Sequence, residues 1–153
     1  MECGRVNGGE TDRKVNLAEA RKILVRDGCT CVMVKGGEVF SSRERGVKPL
    51  MEFTEGGKKY VGFSAADKVV GKAAALLYAL MRIDALYAEV ISLSALRICR
   101  KYNIYVEYGA LTEAIINRKG DGPCPMESAV EGIDDAETAR DVIRRALKRL
   151  GAK

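Results

Sequence analysis

The sequence predicts one α/β domain built on a mixed β-sheet, and three observations carry that expectation. From residue 59 onward, short apolar runs alternate with helical patterns, the order that sets parallel strands side by side with helices as crossovers. Further upstream, Gly36-Gly37 separates two short runs and reads as the turn of a β-hairpin, which makes the sheet mixed. Asp67–Arg82 is rich in Ala and Leu and apolar all round at its centre, the pattern of a helix buried against a sheet.

Residues 1–13 are polar and Gly-rich and read as a flexible N-terminal tail, leaving 14–153 as a single domain. Asn16, with Glu19 three residues later and Leu17, Ala20, Ile23 and Leu24 following, reads as a capped helix start; Asp27-Gly28 ends that helix. Cys29–Val34 and Glu38–Ser41 are the hairpin strands. After a basic loop at 42–48, Pro49 opens a short helix that Gly56-Gly57 stops. Lys59–Ala65 reads as the third strand, and Asp67 as the N-cap of the apolar helix. Ala85–Ser92 is a buried fourth strand. Ser92 or Ser94 caps a helix running to Tyr102, and Ile104–Glu107 is a fifth strand. Thr112–Ile116 is expected to be helical and Met126–Val130 to form one helical turn. Asp134 or Asp135 starts an amphipathic last helix that reaches about Leu150.

With 153 residues, 47% hydrophobic and 31% charged, the chain is long enough to fold around its own core. Its net charge of +5 is dispersed over three groups: Arg43, Arg45 and Lys48; Arg97, Arg100 and Lys101; and Arg140, Arg144, Arg145, Lys148 and Arg149. No aromatic residues interleave with these cations as stacking platforms, so solvated helix faces are favoured over a nucleic-acid surface. Five cysteines at irregular spacing, with no apolar signal stretch before them, point to free thiols in a reducing cytoplasm. The longest apolar run, Ala73–Met81, is too short to cross a bilayer. There is no histidine, which removes histidine from any mechanism.

Two longer stretches are distinctive: Ala65-Ala66-Asp67-Lys68-Val69-Val70-Gly71-Lys72-Ala73-Ala74-Ala75, and Asn117-Arg118-Lys119-Gly120-Asp121-Gly122-Pro123-Cys124-Pro125-Met126-Glu127. Over about residues 16–147 the chain resembles an uncharacterised family, domain of unknown function 1893. The resemblance implies a cytidine-deaminase-like fold, a three-layer α-β-α sandwich around a mixed five-stranded sheet, and carries no established reaction. Zinc deaminases hold the metal with a His or Cys at one helix start and two Cys at the next, and a Glu moves the proton. Here the first start is expected to carry Asp67-Lys68 and the second Ser92-Leu93-Ser94-Ala95. Cys99 lies farther along the helix, and Pro123-Cys124-Pro125 is not a Cys-x-x-Cys pair. A catalytic zinc takes three protein ligands, so zinc-dependent deamination is excluded, and no metal or cofactor is expected.

Ligands in such sheets gather at the carboxyl ends of strands and at helix N-termini. That directs attention to Asp67-Lys68, Ser92 and Ser94, and the loop 117–127. Asp67 is a helix cap or a proton shuttle. Lys68 in a first helical turn opposes the helix dipole, and Lys72 one turn on shares its face; the pair either binds an anion or reaches out to solvent. Gly71 inside a helix costs about 1 kcal/mol, which close packing or an approaching ligand would explain. Cys124, near Arg118, Lys119 and a helix start, is a reactive thiol or a small packed one. Cys29 and Cys31, two apart on a strand, are expected to share one core face. Asn117 and Arg118 bind an anion or serve the turn, and Glu127 is an acid–base group or a helix-start carboxylate.

The favoured reading is a metal-free domain that binds a small anionic, nucleotide-like molecule. Lys68 or Cys124 would be the reactive group and Asp67 or Glu127 the proton shuttle; Lys72, Ser92, Ser94, Asn117 and Arg118 would contact the ligand. Whether a reaction is catalysed is left open by these residues. The rival is a non-catalytic homo-oligomer or partner-binding protein, with helix 67–82 facing a second subunit. Nucleic-acid binding through the last helix is the weaker alternative.

Overall fold

The computed structural model describes the backbone of residues 2–116, 119–122 and 124–151, and side chains from residue 12 onward. In chain order the elements are α1 (Glu2–Asp27), β1 (Cys31–Lys35), β2 (Glu38–Ser42), α2 (Lys48–Glu55), β3 (Ser64–Val70), α3 (Lys72–Met81), β4 (Ala85–Ser92), α4 (Leu93–Lys101), β5 (Tyr105–Thr112), α5 (Pro125–Ala129) and α6 (Ala136–Leu150). The strands form one five-stranded sheet in the order β2-β1-β3-β4-β5. β1 is antiparallel to both neighbours, and β3, β4 and β5 run parallel. This is the expected mixed sheet flanked by helices.

The pleat sorts the core into two layers. Val32, Val34, Ala66, Ala85 and Tyr87 face α1 and meet its Leu17, Ala20, Ile23 and Leu24. On the other face, Cys31, Met33, Ala65, Leu86, Ala88 and Ile91 pack with residues of α2 to α6. α3 is enclosed by the sheet, α2, α4 and α6, which is why it is apolar all round. It therefore faces the protein's own interior, and the expectation that it could present itself to a second subunit is corrected. Cys29 and Cys31 do not share a face: the strand begins only at Cys31, so period-two alternation does not reach Cys29, which packs in the α1 layer.

Other boundaries also differ from expectation. α1 begins at Glu2, so the stretch read as a tail is helical and Asn16 lies inside the helix. Asn16 does not cap α1; its side-chain oxygen accepts the Gly36 N–H at 3.1 Å, in the hairpin turn. There Gly36 adopts φ +59, a left-handed backbone that glycine enters without a Cβ penalty. Thr112–Ile116 is not helical. β5 continues to Thr112, and the Ile115 carbonyl accepts the Cys124 N–H at 3.1 Å, closing the following loop. At the start of α6, Asp135 caps through the Thr138 N–H at 2.8 Å.

The largest shift concerns β3. The chain turns at Tyr60–Phe63, and the third strand is Ser64–Val70 rather than Lys59–Ala65. A strand pressed between α1 and α3 has room for little beyond Ala65 and Ala66, both fully buried. Alanine is also the best helix former, so the local signal points to helix where packing demands strand. Because α3 is wholly enclosed, Leu76→Ala is expected to lower unfolding free energy by about 2–5 kcal/mol. Urea denaturation should show this as a lower midpoint with an unchanged slope.

Candidate functional site

β3 and α3 meet at Gly71, and the site is built around that junction. Asp67 and Lys68 therefore lie on a strand, not at a helix N-terminus as expected, and Gly71 is the N-cap position of α3, not a mid-helix residue. The first helical residue is Lys72. Its N–H donates to Glu127 Oε1 at 2.7 Å, and the Ala73 N–H donates to Oε2 at 3.0 Å. One carboxylate thus satisfies two of the donors that every helix leaves unpaired at its start, and lies on the positive end of the helix dipole. A Cβ on Gly71 would stand 2.5 Å from Glu127 Oε2, so glycine is what lets the carboxylate approach. Lys72 does not pair up with Lys68 to bind an anion. Its side chain is only 12% exposed, and its ammonium makes an ion pair with Asp134 Oδ1 at 2.8 Å. That neighbouring ammonium and its hydrogen bond hold the Asp134 carboxyl below the usual carboxylate range.

Asp67 sits opposite Cys31 across the β1–β3 ladder and beneath α3. Its Oδ2 accepts the Tyr78 hydroxyl at 2.7 Å and its Oδ1 accepts the Val69 N–H at 3.2 Å. Burial pushes the Asp67 carboxyl up to about 7, overcoming the hydrogen bonds that hold it down. Burial and the adjoining Asp67 charge also raise the Tyr78 hydroxyl and the Cys31 thiol, so both stay protonated donors.

A cavity of about 420 Å³ opens above this carboxyl. Its lining includes Asp67, Lys68, Cys124 and Glu127, which are the four residues singled out from sequence as catalytic candidates. Arg45 and Lys68, both exposed, bring positive charge to it, while Val47, Val69, Ala74, Ile115 and Met126 supply apolar walls. Ser92 and Ser94 are not part of the lining. Ser92 is fully buried and caps α4 through the Ala95 N–H at 3.1 Å, with Ser94 Oγ 3.2 Å away. Asn117 and Arg118 lie outside the described residues.

Sequence reasoning passed over three parts of this site. Arg45 belonged to a basic loop with no local sign that it folds back beside β3. Cys31 read as core packing. Tyr78 did leave a usable signal, because a tyrosine within an apolar helix needs a partner for its hydroxyl. Cys29, Cys31, Cys99 and Cys124 are free thiols. Among the described residues no three His, Cys, Asp or Glu side chains gather as metal ligands, and no helix is long and apolar enough to cross a membrane. Two cations of the basic last helix are engaged with carboxylates, Arg140 with Glu137 and Asp141, and Arg144 with Glu55 and Asp141.

A family model described as TM1506, domain of unknown function (DUF1893), matches residues 19–147. The chain belongs to the DUF1893 family. It is also similar to the crystal structure of a DUF1893 family protein, TM1506 from Thermotoga maritima. The two share 30% sequence identity over 89% of this chain and 90% of the other, with a TM-score of 0.77. No curated protein matches the chain. Both β3–α3 and the α5 segment that carries Cys124 and Glu127 fall inside the DUF1893 match.

Two outcomes follow from the junction. Glu127→Ala should destabilise the fold by about 1 kcal/mol, the usual cost of a lost cap, and Gly71→Ala by at least as much. Both remove one contact, so the double variant should fall short of the sum in a denaturation cycle. For Asp67 the folded carboxyl titrates near 7 and the unfolded one in the ordinary carboxylate range, near 4. Between these the folded state binds more protons, so this group's contribution to stability is present at low pH and lost as pH rises from about 4 to 7. Thermal melts of Asp67→Asn should therefore gain on the parent protein steadily from pH 4 to pH 8.

Proposed function

We propose that the cavity above Asp67 binds a small anionic, nucleotide-like molecule. The observation that carries this reading is the convergence of Asp67, Lys68, Cys124 and Glu127 with Arg45 on one largely apolar cavity of about 420 Å³. Ligand sites combine apolar walls with a few polar groups of this kind. Arg45 and Lys68 supply charge for a phosphate or carboxylate, the aliphatic walls accept a flat ring, and Asp67 offers a carboxyl to its polar edge. The strand order, with β1 antiparallel and β3–β5 parallel, supports the cytidine-deaminase-like reading of the fold.

The residues at the two helix starts do not fit the zinc of such deaminases. α3 begins at Gly71-Lys72, where the Glu127 carboxylate is taken up by two backbone N–H groups. α4 is capped by Ser92, whose hydroxyl accepts the Ala95 N–H, and Cys99 is buried a further two turns on. Within the cavity, Asp67 is the group able to exchange a proton near neutral pH, because burial holds its carboxyl near 7. Glu127, held by α3, acts as a positioning residue, and Cys124 or Lys68 is the nucleophile the cavity offers.

Thermal-shift titration with nucleoside monophosphates, nucleosides and inorganic phosphate tests the reading. A nucleotide at a hundred times its Kd stabilises the folded state by about 2.7 kcal/mol, a rise of several degrees. Lys68→Ala and Arg45→Ala should each weaken the nucleotide response, and Asp67→Asn should erase discrimination among bases. Shifts of equal size in the parent and all three variants, or none at millimolar ligand, would sink the proposal.

A further inference from the structure

β5 forms one edge of the sheet, and Glu107 is the only charged residue along it. Its eight residues, Tyr105 to Thr112, contain no proline and no lysine or arginine. The opposite edge, β2, has five residues, and its Glu38 is paired with Lys58. Register fixes which way β5 side chains point. Tyr105 and Glu107 lie beside Ala85 and Tyr87, on the α1 face. Val106, Tyr108 and Leu111 lie beside Leu86, Ala88 and Ile91, on the face of α3 and α4.

The two faces differ in chemistry. On the α4 side, Tyr108 and Leu111 are 43% and 44% exposed and Leu93 at the start of α4 is 45% exposed, so open apolar surface runs along this part of the edge. On the α1 side, an open groove of about 640 Å³ runs between α1 and β5, with Lys14, Arg21 and Lys22 on one wall and Tyr105 and Glu107 on the other. Whatever pairs with this edge needs extended backbone, a carboxylate facing α1 and apolar side chains facing α4. β5 itself has that composition.

We propose that β5 pairs antiparallel with β5 of a second copy of this chain, joining the two sheets about a two-fold axis. A two-fold axis through the sheet keeps like faces on the same side. Each copy's Glu107 is then brought toward the other's Lys14, Arg21 and Lys22, and the strip of Tyr108, Leu111 and Leu93 meets its own equivalent. The edge that β5 leaves open is closed, and each site above Asp67 remains within its own subunit, because none of its lining residues belongs to β5.

Sedimentation velocity on the full chain at rising concentration tests it. The expected species has twice the 16.7 kDa chain mass. Tyr108→Lys with Leu111→Lys should yield a monomer whose circular dichroism and melting match a folded domain. Glu107→Lys should raise the dimer Kd by about tenfold or more, and adding Lys14→Glu with Lys22→Glu should recover much of that loss, which a merely structural role for Glu107 would not allow. A monomer at every concentration overturns the proposal. So does a dimer indifferent to all of these substitutions. Hydrogen exchange supplies the last arm: β5 amides protected only after an extended peptide is added would assign the edge to a foreign strand and overturn the second-copy reading.

Discussion

The Glu127 carboxylate occupies the space that a side chain on Gly71 would fill, and much of the site depends on that approach. Two backbone N–H groups at the start of α3 hold both oxygens, so the segment carrying Cys124, Met126 and Glu127 is fastened to the most buried helix of the fold. A second tie lies next to it, where Lys72 reaches Asp134 just ahead of α6. Together they draw the segment after β5 back across the sheet, and its Ile115, Cys124 and Met126 become the far wall of the cavity. Lysine at a helix N-terminus opposes the dipole. Here two carboxylates, Glu127 on the backbone and Asp134 on the ammonium, offset that conflict.

Asp67 shows the complementary constraint. A carboxyl in the interior of a strand buried on both faces is locally unfavourable, and desolvation drives it toward its neutral form. Tyr78 is 11 residues away in sequence but directly against it in space, and donates the hydrogen bond that makes the burial tolerable. The apolar helix therefore serves two ends. It fills the core between the sheet and α6, and it delivers one hydroxyl to the Asp67 carboxyl that lines the cavity.

The sheet is guarded unevenly. α1 covers β1, β3 and the beginning of β4 but stops short of β5, which leaves the α1 face open at that edge. The cavity is at the carboxyl end of β3, on the α3 face, and β5 contributes no residue to it. Such separation is characteristic of a scaffold whose rigid layer positions more than one surface.

Much of the architecture was legible because it is written locally. Gly36-Gly37 marks the hairpin, Ala85–Ser92 is a bounded apolar run, Ser92 and Asp135 cap the helices they precede, and the α6 pattern has one apolar stripe. Asp67, Lys68, Cys124 and Glu127 were also recognisable as a group of interest, and they line one cavity. Their roles were less accessible, because the sequence by itself determined which residue types were present and the periodicity of most elements, and those are short-range properties. Only the tertiary structure decided that Ala65–Asp67 is strand, since close packing between two helices selects small side chains whose intrinsic preference is helical. Only it decided that Glu127 caps a helix 55 residues upstream, that Asn16 serves a hairpin turn, and that Lys72 faces Asp134. Each is a contact between distant segments, set by how the layers stack, and no local propensity records it.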